Sequence, residues 1–153
     1  MPSHATMRSI SDAEREIVAY HEAGHAIIAR KLGVPVACVT IEPFEGRSGI
    51  MWHGKADDPE TEILIAMAGP FAEAQFTGQR LFCAGDDEAG IGLALSRLPE
   101  PRESYGAKAA ALVRGNWDDI EAIAIELLVG AGRLYGEQLD EAIRCARLLK
   151  QLR

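Results

Sequence analysis

The sequence predicts a mainly α-helical fold with a small β hairpin or sheet. Apolar residues recur at spacings of three and four through most of the chain, the period of a helix with one buried face. The one β-rich region is residues 36–53, and Gly and Pro fall between the periodic segments as breaks. The chain has 153 residues, 48% hydrophobic and 25% charged, the composition of an ordinary soluble globular protein. That length suits one domain, so the expected organisation is a flexible leader over 1–10 and a single domain over 11–153.

The elements follow in order. Ser11-Asp12-Ala13-Glu14 matches a capping box, with Ser as N-cap and Glu three residues on. It opens a helix expected to run to about Leu32, where Gly33 and Pro35 stop it. The inward stripe of that helix is Ile17, His21, Gly24, His25, Ile28 and Leu32. Val36 to Glu42 and Gly49 to His53 read as two short strands, broken by Pro43 and Gly46. Asp58-Pro59 starts a second helix, with Pro at its first position. Residues 61–76 are apolar almost all round, which predicts a buried helix, kinked or interrupted at Pro70 and ended by Gly78. Shorter helices are expected over 86–98, 104–115 and 118–129, with a break at Gly130 and Gly132. A last helix is expected over 136–152.

Composition excludes several functions. Sixteen basic and 23 acidic residues give a net charge of −7, which repels phosphate backbones and anionic membranes. The local exception is the series Arg144, Arg147, Lys150 and Arg153, which also suits a helix C-terminus. A membrane span needs about 20 apolar residues, and the longest apolar stretch, 63–72, is about half that and contains Pro70. Residues 1–10 lack the pattern of a signal peptide, so the expected location is the cytoplasm, with no nucleic acid and no membrane as partner. Cys38, Cys83 and Cys145 are too few and too scattered for a disulfide framework. Gly49 to Ala56 nearly spells a phosphate-binding loop. Ala56 replaces the hydroxyl that would hold magnesium, and Trp52 and His53 sit where the backbone must curl, so nucleotide binding is rejected.

The stretch that carries chemistry is His21-Glu22-Ala23-Gly24-His25. Four residues advance a helix by about 400°, leaving an offset of about 40° and about 6 Å of rise. Both imidazoles can therefore reach one metal ion at about 2.0–2.1 Å. Glu22 is placed to take a proton from a water whose pKa zinc lowers to about 7.

The surroundings resemble a known family. Ile17 to Ala26 (Ile-Val-Ala-Tyr-His-Glu-Ala-Gly-His-Ala) is similar to the active-site helix of FtsH-type zinc metallopeptidases, the protease domain of membrane AAA+ proteases. Val39-Thr-Ile-Glu-Pro43 with Gly46-Arg47, then Ala68-Gly-Pro-Phe-Ala-Glu73, then Asn116 to Ala124 and Leu134 to Leu139 resemble later blocks of that family in the same order. The resemblance implies a helical, zincin-like peptidase domain, here expected to stand alone without the ATPase module and the membrane anchor. It also implies a third zinc ligand from an Asp that opens a later helix. Cys83-Ala-Gly-Asp-Asp87 fits, with Asp87 in the ligand slot and on one helical face with Ile91, Ala94 and Leu98. Asp86 is the neighbouring alternative. Glu73, an acid on an otherwise apolar helix, is either another ligand, a support for a ligating histidine or a solvated rim residue. His53 is either an additional ligand or a surface histidine.

The expected function is thus hydrolysis of peptide bonds with zinc as cofactor. His21, His25 and Asp87 are the metal ligands and Glu22 is the general base. The expected substrate is a peptide or an unfolded protein, docked along an exposed strand near the metal, with any unfolding left to a separate unfoldase or partner. The alternative is a catalytically inactive metal-binding interaction or regulatory module. A small amide in place of a peptide, and the oligomeric state, stay open.

Overall fold

A computed structural model of the chain describes residues 11–43, 49–81 and 83–152. The leader over 1–10, the turn at Gly46 and Arg47, and Arg153 of the basic series lie outside the described residues. The described residues form six helices and a small antiparallel sheet.

Helix α1 (Asp12–Lys31) starts where Ser11 Oγ accepts a hydrogen bond from the Glu14 N–H at 3.2 Å. It ends before Gly33, whose φ of +79° lies in the left-handed region that a side chain disfavours. The chain then enters β1 (Val36–Thr40), with which β2 (Ile50–His53) pairs antiparallel. Asp58 caps α2 (Pro59–Thr77) by accepting from the Thr61 N–H at 2.8 Å. Helices α3 (Gly85–Leu95), α4 (Arg102–Gly115) and α5 (Trp117–Val129) follow. The strand β3 (Arg133–Tyr135) then leads directly into α6 (Gly136–Gln151).

The mainly α class with a small sheet holds, with four differences in detail. Helix α2 runs unbroken through Pro70, so the missing N–H costs one backbone bond without ending the helix. The segment after Gly132, read as a plain break, is the third strand, and it pairs with β1 from Thr40↔Arg133 to Cys38↔Tyr135. Strand β1 is therefore central and β2 is an edge, in the order β2-β1-β3. Helix α3 stops at Leu95, short of Leu98. Burial on α1 is also wider than one stripe: every residue from Glu22 to Ala29 is buried, because helices and the sheet pack on it from several sides.

The α1–α2 contact organises the core. A Cβ on Gly24 would lie 2.6 Å from the Ala72 Cβ and 2.7 Å from the Ala68 carbonyl oxygen, so this crossing requires a residue without a side chain. Around it, Ile28, Val39, Ile120, Ile123, Leu127 and Ile143 form the larger core. Tyr20 stacks between Phe76 and Trp117, with centroids 3.9 and 5.5 Å away. A second cluster joins α2, α3 and α4 through Ile63, Met67, Ile91 and Tyr105. Each such side chain contributes about 1.5–3 kcal/mol by leaving water, and together they fix α1, α2 and α3 relative to one another.

Candidate metal centre

The chemistry-bearing residues of α1, α2 and α3 meet in one cleft. His21 and His25 are one turn apart on α1 and share a face. Their Nε2 atoms lie 3.1 Å from each other. Asp87, in the first turn of α3, brings Oδ2 to 2.8 Å from His21 Nε2, and its Oδ1 lies 3.2 Å from His25 Nε2. Ligand atoms at 2.0–2.1 Å from a tetrahedral ion are about 3.3 Å apart. One ligand atom from each of the three residues falls within a 4.8 Å set, so among the described residues the donor spacing and chemistry fit zinc.

The outer ring nitrogens are committed elsewhere. His25 Nδ1 lies 2.7 Å from the Ile65 carbonyl oxygen, which can only accept. Nδ1 therefore donates, and in a neutral imidazole Nε2 keeps the lone pair that a metal needs. His21 Nδ1 lies 2.8 Å from Glu73 Oε2. Glu73 is thus a carboxylate that orients His21 from outside, and it is absent from the three-residue ligand cluster. Asp86 is exposed and also outside that cluster. His53 is exposed, with Nδ1 donating to its neighbour's carbonyl, Gly54 O, at 2.6 Å; it lines the cleft without joining the ligand atoms.

The charges are strongly coupled. Burial pushes the His21 imidazolium toward deprotonation, but hydrogen bonds to Asp87 and Glu73 and the field of Glu22 outweigh it and hold the pKa up at about 10. Asp87 is likewise opposed by burial, yet its bonds to His21 and His25 hold its carboxyl below the usual carboxylate range. Glu22 is only 8% exposed. Burial raises its carboxyl, and the two histidines offset part of that rise. Glu22 lines the same cleft as His21, His25 and Asp87, a space of about 880 Å³. Residues 49–53 form one wall, while Ala66 and Leu93 come from α2 and α3.

Two contributors escape a reading of the sequence. The Ile65 carbonyl is a backbone atom on an apolar run and carries no sequence signal. Gly69 has one, inside the Ala-Gly-Pro block. A Cβ there would lie 2.5 Å from His25 Cε1 and closer still to Nε2, so the imidazole occupies the volume that any side chain would take.

Fold and site together define a helical domain with two histidines and a carboxylate converging beside a buried glutamate. No family model matches the chain. Among curated proteins, the chain is 36% identical over 88 residues to the ATP-dependent zinc metalloprotease FtsH of Acidobacterium capsulatum, covering 51% of this chain and 14% of that protein. The FtsH of Mesomycoplasma conjunctivae is 40% identical over 67 residues, covering 40% of this chain and 9% of that one. The FtsH of Magnetococcus marinus is 38% identical over 88 residues, covering 51% and 13%. About half of the chain therefore resembles a part of FtsH, and that part is no more than 14% of the length of these relatives.

Proposed function

We propose that this chain is a zinc-dependent peptidase domain in which His21, His25 and Asp87 hold the metal and Glu22 is the general base. The observation that carries the reading is the convergence of both Nε2 atoms on Asp87, with both Nδ1 atoms engaged by acceptors. When bound, zinc supplies a Lewis acid that makes a water molecule far easier to deprotonate. The Glu22 carboxylate takes that proton. Its burial raises its basicity above that of an ordinary carboxylate. As the water oxygen bonds to the peptide carbonyl carbon and the C–N bond breaks, the Glu22 carboxyl returns that proton to the departing amine nitrogen, so Glu22 ends each cycle as it began. His21 and His25 are held in orientation by Glu73 and the Ile65 carbonyl, which removes rotational freedom from the site.

An extended peptide suits the cleft. Strand β2 pairs with β1 along one side, and residues 49–53 line the cleft. A substrate strand added beside β2 would satisfy main-chain groups and lie across the histidine pair. Among the described residues, no helix is long and apolar enough to cross a membrane.

The test is Glu22→Gln in the zinc-loaded protein, assayed on an unstructured polypeptide. Zinc content and melting temperature should match the parent while hydrolysis falls by about 10²–10⁴-fold. Equal cleavage by the variant refutes Glu22 as the base. Zinc bound at one equivalent with no hydrolysis by the parent would favour the metal-stabilised interaction module instead.

A further inference from the structure

Asp87 sits in the first turn of α3, ahead of the residues by which that helix enters the core. Helix α3 begins at Gly85, with φ +57°, and its N-cap residue Ala84 offers no side-chain hydrogen bond. Only Ile91 and Ala94 of this helix are buried. Its first turn carries Asp86, Asp87 and Glu88 in succession, with Asp87 facing the histidines and Glu88 facing another helix. The turn that carries Asp87 takes a restraint from outside α3 through Glu88.

Arg102, the first residue of α4, supplies it. Its Nη1 and Nη2 donate to Glu88 Oε1 and Oε2 at 2.7 and 2.6 Å, a two-pronged pair that fixes angle as well as distance. Arg102 thus grips the chain at Glu88, the residue directly after Asp87. Ile91, one turn further along α3, locks the helix into the core that Tyr105 of α4 shares. Helix α4 in turn packs on α2, the helix that carries Glu73 and the Ile65 carbonyl.

We infer that Arg102 is a positioning residue for the metal centre: through its forked bond to Glu88 it aims the Asp87 carboxylate at the two histidine Nε2 atoms. The inference rests on the metal reading above. The Glu88 and Arg102 side chains are 44% and 39% exposed. An exposed pair of this kind contributes little to global stability. Its effect should therefore fall on metal affinity and leave the melting temperature nearly unchanged, and this separates positioning from a merely structural role.

The experiment measures the zinc dissociation constant of the full chain by competition with a chromophoric chelator, alongside the melting temperature of each chelator-treated variant. Arg102→Ala and Glu88→Gln should each weaken zinc binding by about 10-fold or more, the usual size for a residue that orients a ligand. The double variant should lose no more than the worse single, since both remove one interaction. Arg102→Lys keeps the charge without the fork and should fall between Ala and the parent. Lys108→Ala breaks another exposed pair of α4, to Glu60 at 2.6 Å on α2, and should leave zinc affinity unchanged. Zinc affinity of Arg102→Ala within twofold of the parent would overturn the inference, as would an equal loss in Lys108→Ala or fully additive losses in the double variant. A parent chain that binds no zinc would overturn the metal reading itself, and this inference with it.

Discussion

Replacing Gly69 with Ala tests the centre through a residue that is no ligand. The added Cβ would stand 2.5 Å from His25 Cε1, 2.7 Å from Cδ2 and nearer still to Nε2. Carbon atoms pack at about 3.5–4.0 Å, so the ring must withdraw by about 1 Å or more. Two escapes exist, and both do damage. If the ring swings aside, the 2.7 Å bond from Nδ1 to the Ile65 carbonyl breaks, at about 0.5–1.5 kcal/mol, and Nε2 leaves the ligand set. If α2 backs away from α1, the tight contact of Gly24 with Ala68 and Ala72 opens, and overpacking of this kind costs about 1–3 kcal/mol. Zinc affinity should fall by about 100-fold or more, beyond the 10–100-fold typical of an outer partner, because a ligand itself is displaced. The assay is chelator competition for zinc, with melting of the chelated protein read in parallel. Gly92→Ala is the control: nothing lies within 4 Å of a Cβ there, and it should leave zinc binding intact while raising stability by a few tenths to about 1 kcal/mol. Parent-like zinc affinity in Gly69→Ala would refute the packing argument.

Other expectations follow from the same geometry. Glu73→Gln keeps a hydrogen-bond acceptor for His21 Nδ1 but removes the charge, so zinc affinity should drop by about 10-fold with little change in fold; a loss as complete as that of His21→Ala would instead make Glu73 a ligand. For the chelated protein, His21 has its pKa raised from 6.5 to about 10. Its stabilisation is therefore complete below pH 6.5 and lost as pH climbs through about 10, while the lowered Asp87 contributes above the ordinary carboxylate pKa and is lost on acidification. The melting temperature of chelated parent minus that of chelated His21→Asn should accordingly shrink from pH 6.5 to 10, and a difference that stays flat across this window would contradict the coupling. Because zinc must displace the His21 proton, calorimetric titrations in buffers of different ionisation heat should register about one proton released per zinc near pH 7.5. No proton release there would mean that His21 is already neutral.

How much of this was legible beforehand can be judged residue by residue. The juxtaposition of His21 and His25 needed only the helical repeat, and the start and stop of α1 needed only Ser11, Glu14 and Gly33, because these signals act over a single turn. The acids were harder. Asp87, Asp86 and Glu73 are chemically alike, and the neighbour of each depends on how α3 and α2 cross α1. The strand β3 was invisible for a related reason: three residues have no period of their own and become a strand only by pairing with β1.

By itself, then, the sequence determined roughly where the helices lie and the presence of a histidine pair with a glutamate between, since each of these follows from local spacing and capping. Tertiary structure alone decided that the Asp87 carboxylate reaches both Nε2 atoms, that Glu73 and the Ile65 carbonyl hold the opposite ring nitrogens, and that Gly69 leaves room for His25. Those contacts join residues some 40 or more positions apart. They exist because the Gly24 crossing brings α1 close to α2 and the Ile63–Ile91–Tyr105 core seats α3 beside them.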